Sequence, residues 1–146
     1  MDDGNAMLAL AEVVAMLALI ATIWFGLLHL LARIGGWSRL ARHYRTFESF
    51  AGEAIRFQFG YVGYVRYKGA LTFGADAKGL YLAMFALLRP GHPPLVVPWG
   101  QLEAERIGKD RVALRFKQVP GVVLKITRRL AQRVLAGRGL LPEEST

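Results

Sequence analysis

The side chains that most often carry out catalysis are few in this sequence, and they are poorly spaced for it. The serines are Ser38, Ser49 and Ser145, and the histidines are His29, His43 and His92. A nucleophilic triad needs a hydroxyl or thiol beside a base that a third group orients, and none of the serines lies in a nucleophile elbow. The histidines show neither HxxxH nor HExxH spacing, which argues against a zinc site. The sequence therefore predicts no catalytic residues and no metal site.

One acidic pair and two glycine-bounded segments are the remaining candidates for chemistry. Glu103 and Glu105 alternate along a predicted strand, so their carboxylates share one face, as a general acid/base pair would. Acids at this spacing more often form a solvated face that pairs with Arg or Lys. Segments 60–63 and 74–79 lack the Lys-Ser/Thr of a phosphate-binding loop, and the absence of cysteine excludes disulfides and thiolate catalysis. We therefore expect no enzymatic activity and no cofactor.

Positive charge is the strongest chemical signal. All 19 lysine and arginine residues lie between Arg33 and Arg138 with only six acidic residues, which gives this region a net charge of +13. Such a region favours an anionic neighbour, either a phospholipid surface or a nucleic acid. No nucleic-acid recognition motif accompanies the arginines, so we expect anionic lipid and no nucleic acid. The residues predicted to contact lipid are Trp37, Arg39, Arg42, Arg45, Arg128, Arg129 and Arg133.

Residues 13–32 form the element that positions this charge. They contain no Asp, Glu, Lys or Arg, and as a helix they would be about 30 Å long, the thickness of a bilayer's hydrocarbon core. Buried helices of soluble proteins are rarely so long and so apolar on every side, so the segment predicts a transmembrane helix. The leading residues lack the positive charge of a cleaved signal peptide. Because arginines follow the segment and none precedes it, the positive-inside rule predicts a cytoplasmic C-terminal domain.

Two finer features of the predicted span bear on its partners. Small residues recur on one helix face and would permit a weak homodimer. They are Ala11, Ala15, Ala18, Thr22 and Gly26. The alternative is that alanine is simply common in this segment. His29 is the titratable group within the span, and its position near Arg33 predicts that it extends toward the headgroups.

Residues 35–52 predict a short amphipathic helix that follows a break at the glycine pair. Trp37, Leu40, Tyr44 and Phe47 recur at helical spacing, with arginines on the other faces. The helix either lies in the membrane interface, with Trp37 as an anchor and the arginines at the phosphates, or packs on the following domain. The sequence leaves both placements open.

Beyond residue 52 the apolar pattern changes to a period of two, which is typical of half-buried strands. Seven or eight short antiparallel strands are predicted, with turns at 68–69 and 89–94. A closing helix follows over 128–136, with Thr127 as N-cap and Gly137 just past its end. The pattern predicts an α+β chain: a single N-terminal transmembrane helix, then a small antiparallel β-barrel closed by a C-terminal helix. The expected barrel core is Phe57, Phe73, Leu80, Leu82, Leu114 and Leu124.

Two further side chains have both a structural and a ligand-binding interpretation. His92 lies in a proline-rich loop and is expected to cap that loop rather than to bind a ligand. Trp99 is expected to pack over an open end of the barrel, with a ligand-lining role as the alternative.

Segments 67–72, 79–82 and 97–99 leading into Leu102 resemble bacterial membrane-tethered PH-like domains, of the GRAM and bacterial-PH kind. The similarity extends over about residues 53–137. It implies a PH-like barrel with a terminal amphipathic helix and a location in the bacterial inner (cytoplasmic) membrane. The sequence lacks the Lys-x(n)-Arg phosphoinositide loop of signalling PH domains.

These observations predict four parts: an acidic N-terminus with the transmembrane helix (1–34), the juxtamembrane helix (35–52), the PH-like domain (53–137) and a tail (138–146). The expected function is that of a single-pass membrane protein that presents a cytoplasmic binding or adaptor domain to anionic lipid headgroups or to a partner protein. The alternative is a structural subunit of a membrane complex, in which the barrel is a protein–protein surface without lipid recognition.

Overall fold

The computed structural model describes residues 2–140, so the end of the predicted tail, residues 141–146, lies outside the described residues. Helix α1 (Asp3–Gly35) contains 33 residues and is therefore about 50 Å long. Its most apolar window has a mean hydropathy of 2.4 and is not buried by the rest of the protein. Within the described part of the chain it is the one helix long and apolar enough to cross a membrane. A helix of this kind near the N-terminus is either a membrane span or a signal sequence.

Helix α2 (Trp37–Tyr44) follows α1 directly. Gly36 lies between the two helices with a φ of 95°, a left-handed conformation that glycine adopts at little cost and that ends α1. The apolar side chains of α2, Trp37, Leu40 and Tyr44, are all buried in the same hydrophobic cluster as the sheet. Packing therefore continues across the predicted boundary at residue 52.

Seven strands form one antiparallel sheet with the order β4-β3-β2-β1-β7-β6-β5. The strands are β1 (Ala54–Val62), β2 (Val65–Ala75), β3 (Gly79–Met84), β4 (Leu95–Pro98), β5 (Leu102–Ile107), β6 (Arg111–Phe116) and β7 (Val119–Thr127). Among residues 2–140 no ladder joins β4 to β5, so the sheet is a curled half-barrel. The predicted α+β class is confirmed.

Helix α3 (Arg128–Val134) follows β7 and ends two residues earlier than predicted. The Leu130 amide donates to the Thr127 hydroxyl oxygen over 3.3 Å, so the predicted N-cap is confirmed. Leu130 and Val134 are buried in the cluster, together with Ile126 at the end of β7. The helix thereby covers one side of the half-barrel.

The predicted core is confirmed at five of its six positions. Phe73, Leu80, Leu82, Leu114 and Leu124 are fully buried. The prediction for Phe57 was wrong, because its side chain is 61% exposed. The β1–β2 register shifts on both sides of Gln58, and such bulges interrupt the inward–outward alternation of side chains. The predicted turn at residues 68–69 was also wrong, since β2 runs through it and the chain reverses at residues 63–64.

Candidate functional site

The domain packs directly on the last three turns of α1, through the segment 87–91 and the β1–β2 turn. The Trp24 indole N–H donates to the Leu87 carbonyl oxygen over 2.9 Å, and Gly91 lies so close to His29 that an added Cβ would be 3.0 Å from the His29 Cα. Farther along, Gly35 packs against Val65 and the Val62 carbonyl. These contacts extend over 11 residues of helix, or about 16 Å, so the position of the sheet along α1 is fixed at both ends.

A buried aromatic cluster lies behind this contact. The Trp37 indole N–H donates to the Pro93 carbonyl oxygen over 2.9 Å, and its ring meets those of Tyr67 and His92 edge-on, with centroids 6.2 and 5.3 Å away. The loop that carries Pro93 and His92 is thereby joined to both α2 and β2. The prediction that Trp37 is a membrane anchor was wrong, because its side chain is fully buried.

His92 is the buried polar residue of this cluster. The Pro90 carbonyl oxygen lies 3.1 Å from Nδ1 of His92 and can only accept a hydrogen bond, so Nδ1 carries the proton. The other ring nitrogen, Nε2, therefore accepts from the Tyr67 hydroxyl over 2.8 Å. Burial lowers the pKa of His92 and raises the pKa of Tyr67. Both groups are therefore held neutral, and each hydrogen bond satisfies a buried polar atom. His92 caps its loop, as the sequence predicts.

The arginines of α2 and the residue after it remain on the surface. Arg39, Arg42 and Arg45 are exposed, and none of them pairs with a carboxylate within residues 2–140. The Arg45 guanidinium lies over the Phe47 ring, 4.8 Å from its centroid. Since the apolar face of α2 is buried in the domain, the structure favours the second of the two predicted placements for this helix.

The arginines of α3 lie elsewhere in the fold. Arg129 and Arg133 are exposed and Arg128 is half-buried. Gly36 at the start of α2 packs against Val122, whereas α3 begins after Thr127, five residues farther along β7 and so about 17 Å away. The two predicted sets of lipid-contacting arginines are therefore separate, and the structure does not bring them into one patch.

A groove of about 480 Å³ opens beside the contact between the sheet and α1. Its walls are the segment 46–50, residues of β1 to β3, and the segment 84–89. The segment 46–50 is held at one end by the Thr46 amide, which donates to the Pro94 carbonyl over 3.0 Å. At its other end Phe50 stacks on Tyr81 with ring centroids 4.5 Å apart. The groove is thus built from ordered contacts on both sides.

Basic and aromatic side chains line this groove. Arg56 and Arg89 contribute its positive charge, and in the described part of the chain neither forms an ion pair. Glu48 is its acidic residue, but the Glu48 carboxylate accepts from the Lys78 ammonium over 2.9 Å, which lowers the pKa of Glu48. Phe57 and Phe85 lie beside each other, with ring centroids 6.1 Å apart.

Sequence reasoning missed this groove because its members are dispersed along the chain. Phe57 was assigned to the core by its alternation with polar neighbours, and Arg56 and Arg89 were not singled out. The Phe57 backbone has a φ of 59°, the one left-handed non-glycine among residues 2–140. Nothing local in the sequence signals that conformation. The available signal for the groove was the group of large apolar residues at positions 85, 87 and 88, directly before Arg89.

The acidic pair on β5 has the ordinary surface arrangement. Glu105 forms an ion pair with Arg115 over 2.9 Å, and both side chains are mostly exposed. Glu103 lies opposite Arg115 in the β5–β6 register. Within residues 2–140 no three His, Asp or Glu side chains come together as metal ligands.

Trp99 contacts the chain just after the end of β2, whereas α1 meets the first residue of that strand, Val65. Its indole N–H donates to the Asp76 carbonyl oxygen over 2.8 Å, and the Arg138 guanidinium lies 4.7 Å from its ring centroid. It therefore joins the β2–β3 loop to the segment after β4, which agrees with the packing role predicted for it.

No known protein family, curated protein or solved structure matched this chain. The resemblance to PH-like domains stays a prediction.

Proposed function

We propose that the protein is a single-span membrane protein whose half-barrel domain binds anionic phospholipid headgroups. The observation that carries the proposal is the packing of the domain along residues 24–35 of α1. A domain packed on its own membrane helix is held at the bilayer surface without a flexible linker, so it meets headgroups at a high effective concentration.

Burial of α1 residues supports a retained span over a cleaved signal sequence. Leu28 and Ala32 are buried by the domain, and Ala32 belongs to the hydrophobic core cluster. Cleavage after the apolar segment would remove these side chains from the core and leave apolar surface exposed. The uncharged segment 13–32 is about 30 Å long, which suffices to cross a bilayer, so the domain packs on the last part of the span.

Charge supports both the orientation and the ligand. Every basic residue lies after the apolar segment, which favours a cytoplasmic domain, and the α2 arginines emerge next to the end of α1 without carboxylate partners in the described chain. The half-barrel closed on one side by α3 is compatible with a PH-like domain. For this protein we propose a location in the bacterial inner membrane.

An assembly subunit of a membrane complex is the second candidate. It is favoured by exposed aromatic residues on the domain outside the groove, above all Tyr64, which is 89% exposed in the β1–β2 turn. In that case the domain would bind protein and show no preference among lipids.

The topology is testable with single-cysteine variants, since the chain has no cysteine of its own. We expect Asn5→Cys to react with a membrane-impermeant maleimide in intact cells, and Lys109→Cys, in the β5–β6 loop, to react only after the membrane is opened. Retention of both variants in the pellet after an alkaline carbonate wash is the matched control for integration. Release into the supernatant, or reaction of Lys109→Cys in intact cells, would contradict the proposal.

The ligand class is testable with the full chain in vesicles. Of the three tryptophans, Trp37 is fully buried and Trp99 is half-buried, so Trp24, which is 43% exposed on α1, is the main reporter of quenching by lipid. We expect brominated phosphatidylglycerol to quench it more strongly than brominated phosphatidylcholine at the same mole fraction, and the difference to shrink as salt is raised. Equal quenching by the two lipids would favour the assembly subunit.

A further inference from the structure

We propose that the groove between segments 46–50 and 84–89 is a site for one acidic phospholipid taken from the membrane that α1 crosses. Arg56 and Arg89 would bind its phosphate, and Phe57 and Phe85 would contact its acyl chains. This inference rests on the proposed function and deepens it, because it names one site within a domain that carries positive charge on several faces.

The height of the groove along α1 is the first argument. The segment that forms one groove wall is joined to Trp24 through the Leu87 carbonyl and continues along the helix to Gly91 beside His29. Around the rest of the same stretch, apolar side chains remain exposed up to Ile34: Phe25, Leu27, Leu30, Leu31 and Ile34. Under the proposed function lipid covers these side chains, so the groove wall lies beside the inner leaflet and not out in the aqueous phase.

The exposed surface of the wall has the composition of a membrane-inserted segment. Leu87 is 66% exposed and Phe85 is 43% exposed, although the Leu87 carbonyl contacts α1. Apolar side chains exposed at headgroup level are stabilised by the headgroup–acyl boundary. The groove mouth therefore faces lipid, and a lipid can enter it without passing through water.

The polar content of the groove selects the ligand. Neither Arg56 nor Arg89 has a carboxylate partner in the described residues, and the one groove carboxylate is bound to Lys78. Guanidinium groups bind phosphate oxygens through two parallel hydrogen bonds. Beside the aromatic pair, this arrangement suits an amphiphile with an anionic head. A zwitterionic lipid also offers a phosphate, but the described groove residues leave no free carboxylate for its ammonium group, so lipids with a net negative charge are the preferred ligands.

Backbone strain at Phe57 is a second, independent observation. A bulky residue with a φ of 59° occupies a conformation that L-residues avoid, and such strain persists mainly at binding and catalytic sites. The strained conformation here projects an aromatic ring into the groove beside Phe85. Structural stability alone would favour asparagine or glycine at this position.

The experiment uses the full chain in phosphatidylcholine vesicles that contain brominated phosphatidylglycerol, with Trp24 as the reporter. We expect the double variant Arg56→Gln/Arg89→Gln to lose the preference for the acidic lipid by about fivefold for each arginine. The matched control is Arg66→Gln/Arg111→Gln, which removes the same charge from a surface site where both guanidinium groups lie over the Tyr61 ring. The control should keep most of the preference.

The variant Phe57→Asn separates binding from folding. Asparagine tolerates a positive φ, so we expect its melting temperature to equal or exceed that of the wild type while its acidic-lipid preference falls. Loss of both stability and preference would assign Phe57 a structural role and overturn this part of the proposal.

The outcomes distinguish the site from the general function. If the wild type shows no acidic-lipid preference, the proposed function itself fails. If the preference exists but the groove variant and the control lose it equally, diffuse charge is responsible and the groove site is overturned. Glycerol 3-phosphate at millimolar concentration should leave the quenching unchanged, and displacement of the lipid by it would show that the groove takes soluble phosphate compounds instead.

Discussion

The two halves of α1 are similar in composition but differ in their surroundings. Over residues 3–23 every described side chain is exposed, whereas over residues 24–35 Leu28, Ala32 and Gly35 are buried against the sheet. Both halves are mainly apolar, and both contain glycine, Gly4 in the first and Gly26 and Gly35 in the second. The difference teaches that apolarity alone does not assign a helix to the bilayer: in the second half the domain covers part of the apolar surface, and the rest stays exposed.

The partly buried second half of α1 gives the domain a defined position. The contacts at Trp24, His29 and Gly35 lie on successive turns of the helix, so the domain is held against α1 at three points along its length. A domain on a flexible linker would sample all orientations. Here the segment that carries Leu87 is held against α1.

The largest expected effect separates the two tryptophans near this junction. Trp37→Ala should lower the free energy of unfolding of the full chain in detergent by about 3–5 kcal/mol, because a fully buried indole is removed from the core. Trp24→Ala should cost much less, since that ring is exposed on one side. Guanidinium unfolding monitored by near-UV circular dichroism measures both, and equal losses would mean that the docked half is as deeply buried as the core.

A glycine pair in the sheet tests the contact at the end of α1. Gly63 and Gly69 have φ values of 58° and 67°, so alanine is strained to a similar extent at both. A Cβ at residue 63 would collide with the Gly35 carbonyl, whereas one at residue 69 meets nothing within 4 Å. Gly63→Ala should therefore destabilise the protein by about 1–3 kcal/mol more than Gly69→Ala, as measured by thermal unfolding. A difference near zero would show that the turn does not pack on α1.

The glycines of α1 make the same comparison within one helix. A Cβ at Gly35 would lie 2.8 Å from the Val65 Cγ2 and 3.1 Å from the Val62 carbonyl oxygen, while one at Gly26 meets nothing within 4 Å. Overpacking at residue 35 should outweigh the gain in helix propensity of about 1 kcal/mol. We expect Gly35→Ala to lower the melting temperature and Gly26→Ala to leave it unchanged or raise it. The reverse order would contradict docking at the end of α1.

The smallest expected effect is a pH dependence of the stability that arises from His92 in the buried aromatic cluster. Because burial lowers the pKa of His92 below its ordinary value of 6.5, the unfolded state binds more protons than the folded state at mildly acidic pH. Stability should be unaffected by this group above pH 6.5 and should fall as the pH is lowered below it. Urea unfolding between pH 5 and 8 measures this, and His92→Gln should flatten the profile. An unchanged profile in that variant would assign the dependence to other groups.

Several features of this protein follow from local sequence alone. The presence of α1 is evident from an uncharged apolar run, although the helix begins ten residues before that run. The strands show as a period of two that five of the six expected core residues obey. The cap at Thr127 depends on the hydroxyl of Thr127 and an amide three residues later. Each of these features depends on residues that are close together in the sequence, within a few helical turns or one strand, so the local pattern suffices to predict them.

Other features depend on the packing of distant segments, and only the tertiary structure decided them. Trp37 has the pattern of a membrane anchor, yet it is buried because the loop at Pro93, 56 residues away, supplies its hydrogen-bond acceptor. Phe57 has the pattern of a core residue, yet a register shift against β2 turns it outward. Residues 24 and 87 meet only when the whole sheet is in place. The apolar pattern states that a face must be covered, and the geometry of the complete fold determines whether protein or lipid covers it.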